Sequence, residues 1–242
     1  MNLLEAIDKR CSRRNFLDTP VDENKVQELN GYIKKYNDLG NLNMRLVIND
    51  GRPFGSKKGE AKNYIMLAAS SDGGEERCGY FGEKLVLEAT CLGLGTCWRA
   101  GFDRNSCPFD AGTGEKLYCL IALGNVSGNM TLKEKMVRGA MHIKNKKAEE
   151  MFKSSETVPT WFINGMECVK KAPSAINRQP VVFRFDGGNV TASVVDFSGY
   201  RAFDLGIAKL HFEIGAGFGS WEFGNGGKFI YGDGKTKVIK SN

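Results

Sequence analysis

Small residues recur along this chain at one fixed displacement. Gly82, Gly93, Gly95 and Thr96 are echoed by Gly206, Gly217, Gly219 and Ser220, each 124 positions later, and Trp98 and Trp221 follow closely in the two places. That displacement is about half of the 242 residues. Two copies of one unit, each a helix followed by a tight turn, would leave this trace, although four small residues in a chain with 30 glycines can also coincide. Duplication is the reading adopted, and it constrains the fold more than any other feature does.

Hydropathy patterning supplies the elements around those turns. Leu3, Leu4 and Ile7 have helical spacing that stops at Lys9–Arg10, and a second helix is predicted from about Asp22 to Tyr36, with Asp22 as cap and Val26, Leu29 and Ile33 on one face. Asn43–Asn49 and Tyr64–Ala69 read as strands separated by a Gly51–Gly59 loop, and Tyr80–Leu92 reads as a helix closed by Gly93 and Gly95. Leu117–Leu123 is apolar throughout, as expected of a strand covered on both faces in mid-sheet. Lys133–Lys147 is a basic stretch; a helix from about Val158 to Lys171 follows it. A hairpin of Val181–Phe185 and Val190–Val195 turns at Asp186–Asn189. A helix over Asp204–Ile214 and strands at Lys228–Tyr231 and Thr236–Ile239 complete the chain. Strands alternating with helices, with no Pro/Gly/Ser linker between modules, give a mixed α+β chain.

Lysine and arginine outnumber acids by 34 to 28, a net charge of +6 that suits an anionic small ligand and is too small to mark a nucleic-acid binder. The Lys133–Lys147 stretch also lacks the interleaved aromatics that stack bases. Seven cysteines, an odd number with no Cys-x-x-Cys pair and no secretory signal before them, are expected to be reduced thiols of a cytoplasmic protein. No apolar run approaches the ~20 residues of a membrane span. His142 and His211 form no spaced metal motif with the cysteines. Ser174 lacks a Gly-x-Ser-x-Gly frame, and Glu213 would point away from His211 on a helix. Gly93-Leu-Gly95 follows a helix, where a dinucleotide fingerprint must follow a strand. No metal and no catalytic side chain is expected, so an enzyme with this sequence needs a cofactor to carry its chemistry.

Three segments could grip one. In Arg10-Cys-Ser12-Arg-Arg14-Asn-Phe16, extended chain would put Arg10, Ser12 and Arg14 on one side, two guanidinium forks and a hydroxyl suited to phosphate; the alternative is a solvated basic loop. Ala172-Pro-Ser-Ala-Ile-Asn177-Arg-Gln-Pro180 is a polar turn whose small residues permit close backbone approach, or an ordinary helix exit. Gly93–Phe102 could lay exposed backbone N–H groups against a flat ligand, or form a glycine cap with Trp98 and Phe102 in the core, burial being the expected fate of those two rings.

Together the three segments resemble the FMN-dependent nitroreductase family. Arg10, Ser12, Arg14 and Phe16 are similar to its Arg-x-Ser-x-Arg/Lys-x-Phe; Pro173, Ser174, Asn177, Gln179 and Pro180 to its Pro-Ser-x-x-Asn-x-Gln-Pro; and Leu92–Phe102 to its Leu-Gly-Leu-Gly-Thr-x-Trp…Gly-Phe. The order departs from the ordinary member, in which the Pro-Ser turn follows the second helix, and Val181 stands where Trp is common. The resemblance implies the single-chain branch of the family: an α+β nitroreductase-like fold with mixed sheets flanked by helices. Half-units over residues 1–130 and 131–242, intertwined as a pseudo-dimer, would leave one complete FMN site and one degenerate copy.

On that resemblance Arg10, Ser12 and Arg14 hold FMN, with Lys144 and Lys146 supplementing the phosphate site and Pro173, Ser174 and Asn177 closing from the other half. The backbone N–H of Ala100 or Gly101 is the implied donor to flavin N5. The implied activity is hydride transfer from NAD(P)H to nitroaromatics, quinones or similar electron-poor small molecules by a soluble monomer, with no nucleic-acid or membrane partner. A flavin-binding protein without turnover, for storage or redox sensing, is the alternative.

Overall fold

The computed structural model describes residues 1–70, 73–110, 114–142 and 146–232. They group into two compact units, Met1–Gly74 with Phe81–Met141, and Glu75–Tyr80 with His142–Asn242.

The first unit opens with α1 (Leu3–Lys9), started by a capping box between Asn2 and Glu5, and α2 (Glu23–Gly40), whose cap Asp22 accepts the Asn24 N–H. There follow β1 (Arg45–Val47), β2 (Asn63–Ala69), α3 (Gly74–Cys91), β3 (Gly95–Arg99), β4 (Lys116–Gly124) and α4 (Leu132–His142). The strands form one antiparallel sheet in the order β1-β2-β4-β3. The apolar run in β4 is explained by its interior place in that sheet, where Leu117 to Gly124 are all buried. α2 runs a turn beyond the expected end because Gly40 lets it meet α3: a Cβ there would lie 2.7 Å from the Phe81 ring. The predicted start of α3 was late, since its first turn carries Glu75 and Glu76 in place of an apolar face. The Lys133–Lys147 stretch is helical over α4, where Leu132 and Met136 are exposed and Glu134 is buried, an inversion of the pattern that marks a surface helix.

The second unit contains β5 (Phe152–Ser154), α5 (Thr160–Val169), β6 (Val182–Asp186), β7 (Asn189–Ser193), α6 (Tyr200–Ala216), β8 (Ser220–Trp221) and β9 (Phe229–Ile230). The β6–β7 hairpin turns on Gly187 and Gly188, both at positive φ (55° and 76°), as a two-residue turn of that twist requires. An isolated bridge from Thr191 to Lys228 joins β7 to the β8–β9 hairpin, so β6-β7-β9-β8 has the order of β1-β2-β4-β3, with β5 added parallel to β6. α3 and α6 are each followed by a left-handed glycine and a strand: Gly93 (φ 76°) before β3, Gly217 (φ 78°) before β8. The predicted Thr236–Ile239 strand lies outside the described residues.

Glycines allow backbone contact inside this unit. A Cβ on Gly206 would sit 2.0 Å from the Glu76 carbonyl oxygen, and one on Gly79 2.3 Å from that of Phe203, so α6 and the Glu75–Tyr80 part of α3 touch main chain to main chain. Beside α6, Phe162, Phe183, Phe212, Trp221 and Phe229 pack ring against ring as the core. Among the described residues, no helix is long and apolar enough to cross a membrane.

Candidate functional site

After α1 the chain becomes extended at Arg10 (φ −57°, ψ 130°), and Ser12 forms a parallel bridge to Thr96 of β3. In extended chain successive side chains alternate. Arg13 accordingly turns inward and is 6% exposed. Its Nε donates to Glu134 Oε1 at 3.1 Å, Nη1 to the Ser127 carbonyl at 2.9 Å and Nη2 to that of Asn129 at 3.3 Å. The same carboxylate accepts the amides of Arg14 (2.7 Å), Asn15 (3.2 Å) and Thr131 (2.8 Å). Burial alone would raise the Glu134 carboxyl, but these donors outweigh it and bring its pKa down to about 2.

Arg10, Ser12 and Arg14 remain half-buried. Among the described residues the Arg10 Nε–H is buried without a hydrogen-bond partner, and the Glu83 Oε1 it faces is 3.7 Å away, too far for one. Glu83 is itself fully buried and accepts the Trp98 indole N–H at 2.8 Å. A buried cationic donor left unsatisfied by protein costs stability unless a ligand oxygen completes it.

β3 ends at Arg99, and Ala100 and Gly101 beyond it are exposed. A Cβ on Gly101 would meet nothing within 4 Å, so this stretch of backbone is open to approach. The segment read from sequence as a glycine-rich turn is thus an edge strand leading into an open turn. Trp98 and Phe102 are half-buried, which corrects the expectation that both lie in the core. Strand alternation gives the core position to Cys97, while Trp98 lies against α3, where a Cβ on Gly82 would be 2.8 Å from its ring. Burial is the main cause that raises the thiols of Cys91, Cys97, Cys107 and Cys119, the last to about 12, so none of the four is a ready nucleophile at neutral pH.

In the second unit, Ala172–Pro180 leads from α5 to β6. Three of its non-glycine residues adopt left-handed backbone: Ile176 (φ 46°), Asn177 (φ 55°) and Gln179 (φ 48°). Such residues cost of order 1 kcal/mol or more each and gather at functional sites, where the surroundings hold them. Here the Gln179 N–H donates to Ser174 Oγ at 2.9 Å and the Ala175 N–H to Asp204 Oδ1 of α6 at 2.9 Å. Lys146 clamps the far end, its backbone N–H donating to Gln179 Oε1 (2.9 Å) and its Nζ to the Gln179 carbonyl (2.7 Å). The Gln179 side-chain amide in turn donates to the Lys170 carbonyl at 3.2 Å. Burial raises Asp204 to about 6, against the Ala175 N–H and Arg178.

Arg10, Ser12 and Arg14 therefore share one extended segment bridged to β3 at Ser12, and Pro173, Ser174 and Asn177 share one strained turn beside α6. Lys146 is committed to Gln179, and Lys144 lies outside the described residues. Sequence reasoning missed Glu134 and Asp204 as supports. The available signal for Asp204 was a lone acid within the apolar run Ala202–Leu205. Among the described residues no cluster of three or more His, Cys, Asp or Glu could hold a metal ion.

A family model described as "Putative TM nitroreductase" matches residues 2–216. Among solved structures, a "putative nitroreductase" from Thermotoga maritima MSB8 is 23% identical, with 96% of this chain and 94% of that chain covered at a TM-score of 0.67. A "nitroreductase family protein" from Clostridium difficile 630 is 18% identical over 65% of this chain and 100% of that chain, at a TM-score of 0.49. No curated protein matches the chain.

Proposed function

The chain belongs to the nitroreductase family described by that match, and from this premise we propose that it is an FMN-dependent oxidoreductase acting between NAD(P)H and electron-poor small molecules such as nitroaromatics or quinones. The observation that carries the reading is the buried Arg10 Nε–H, which has no hydrogen-bond partner among the described residues and lies on the extended segment that bears the arginine motif.

The residues present fit this cofactor. Arg10 and Arg14 would neutralise its phosphate or hydrogen-bond the pyrimidine side, and Ser12 would add a hydroxyl donor. Pro173, Ser174 and Asn177 would be further contacts. The exposed amides of Ala100 and Gly101 would donate to a ring nitrogen and favour negative charge there. When bound, FMN supplies the two-electron redox chemistry. Lys146 supports the turn through Gln179.

We also propose that the two units derive from one ancestral unit and that only one of the two equivalent positions takes a flavin. Displacement by 124 residues carries Ala100 to Gly224. The Gly224 N–H is already committed to Glu76 Oε2 at 2.6 Å, and Lys209 Nζ caps the carbonyls of Glu222 and Gly224, each at 2.9 Å, while pairing with Glu76 Oε1 at 2.6 Å. A soluble, cytoplasmic, monomeric protein accords with this reading. Anaerobic mixing of the FMN-loaded protein with NADH or NADPH tests it. Bleaching of the flavin absorbance on a catalytic time scale supports the enzyme; a flavin that binds and stays oxidised supports a carrier or sensor.

A further inference from the structure

We propose that Asp204 is a positioning residue, a carboxylate latch that holds the Ser174–Gln179 turn in its binding conformation when ionised and loosens it when protonated. The latch is a single contact with leverage. Asp204 Oδ1 accepts the Ala175 N–H at 2.9 Å, one residue before the left-handed Ile176 and Asn177. The other end of the turn is fixed independently, by Ser174 Oγ on the Gln179 amide and by Lys146 on the Gln179 carbonyl. The strain therefore lies between two clamps, and Asp204 is the clamp on the N-terminal side.

The surroundings make that carboxylate titratable near neutrality. Asp204 is 4% exposed and shares a small cavity with Met151, Val169, Ala172, Ala208 and the uncharged Ser174 and Gln179. The charge that acts on it comes from Arg178 of the turn itself, while Arg201, one turn earlier on α6, is engaged with Asp196 at 2.5 Å. Burial accordingly pushes the Asp204 pKa up to about 6 from the ordinary 3.8. Protonation places a hydrogen on one oxygen and leaves Ala175 facing a neutral acceptor. An amide bond to a charged acceptor is roughly twice as strong as one to a neutral acceptor, and the difference corresponds to about a tenfold change in an equilibrium. A group held ionised against its burial, beneath a strained turn, gives up stability to fix a geometry.

The effect on ligand rests on the reading that this turn contacts FMN, whereas the latch itself does not. Two measurements keep them apart. In ligand-free protein the Ala175 backbone amide is followed by 1H–15N NMR from pH 5 to pH 8. A shift with its midpoint near pH 6 in wild type, absent in Asp204→Asn, is expected; an amide that does not titrate, or that titrates identically in the variant, overturns the latch. FMN affinity is then measured by flavin fluorescence over the same range. Wild type should bind about tenfold more weakly at pH 5 than at pH 7.5. Asp204→Asn should stay near the weaker value throughout. The FMN phosphate also titrates near pH 6, so riboflavin serves as a second probe and should show the same contrast between wild type and variant. A pH dependence seen with FMN, lost with riboflavin and unchanged in the variant belongs to the phosphate and refutes control of binding by Asp204. If the amide titrates and neither flavin binds, the latch stands and the flavin reading fails.

Discussion

Glu134→Gln tests whether a carboxylate 120 residues away in sequence organises the arginine strand. Glu134 gathers three backbone amides and the Arg13 guanidinium at 2.7 to 3.2 Å, and its pKa falls from 4.5 to about 2. Because the folded-state value lies below the unfolded one, the ionised group stabilises the fold fully above about pH 4.5, and the contribution is lost as pH falls toward 2. At about 1.4 kcal/mol per decade, the fall is worth about 3 kcal/mol at neutral pH. The glutamine keeps one acceptor oxygen and turns an NH2 group toward donors that need an acceptor. Urea unfolding followed by circular dichroism should therefore show the variant about 3 kcal/mol less stable at pH 7, with the gap to wild type closing between pH 4.5 and pH 2. Its FMN affinity should fall as well, since the Arg14 and Asn15 amides lose their anchor. A gap below about 1 kcal/mol at pH 7, or one that does not shrink in acid, would refute this account of Glu134.

The two neighbouring arginines should separate binding from stability. Arg10→Ala is expected to weaken FMN retention at least about tenfold and far more than Arg13→Ala does, whereas Arg13→Ala, which removes the 3.1 Å contact to buried Glu134, should cost more stability than Arg10→Ala, whose Nε lies 3.7 Å from Glu83; equal loss of binding in both would show that net charge alone is at work. Gly206→Ala should destabilise by more than about 2 kcal/mol, because the added methyl would meet the Glu76 carbonyl at 2.0 Å. Gly31→Ala, in α2 with nothing within 4 Å, should stabilise by about 0.5–1 kcal/mol in the same thermal or urea melts.

Much of the architecture was legible because local chemistry and tertiary placement agree. The Asp22 cap, the Gly187–Gly188 hairpin and the wholly apolar β4 each state their conformation in a few residues. The alternation of Arg10, Ser12, Arg13 and Arg14 was readable for the same reason, extended chain having a period of two. What sequence could not supply were interactions closed over long distance. β3 contains Gly95, which weakens a strand on its own, and exists because β4 pairs with it. α4 hides behind exposed Leu132 and Met136, since its anchor is the buried Glu134 reaching Arg13. The first turn of α3 is polar because Glu76 pairs with Lys209, 133 residues later. The candidate site divides likewise: its motif residues were visible, and Glu134 and Asp204, which hold those residues in place, were not.

A titration of the ligand-free protein with FMN tests the central proposal most directly, that this chain binds a flavin and that Arg10 and Ser174 contribute to its binding. Saturable binding of one equivalent per chain, weakened both by Arg10→Ala and by Ser174→Ala, is the predicted outcome. Binding that never saturates, or that neither substitution alters, would contradict it.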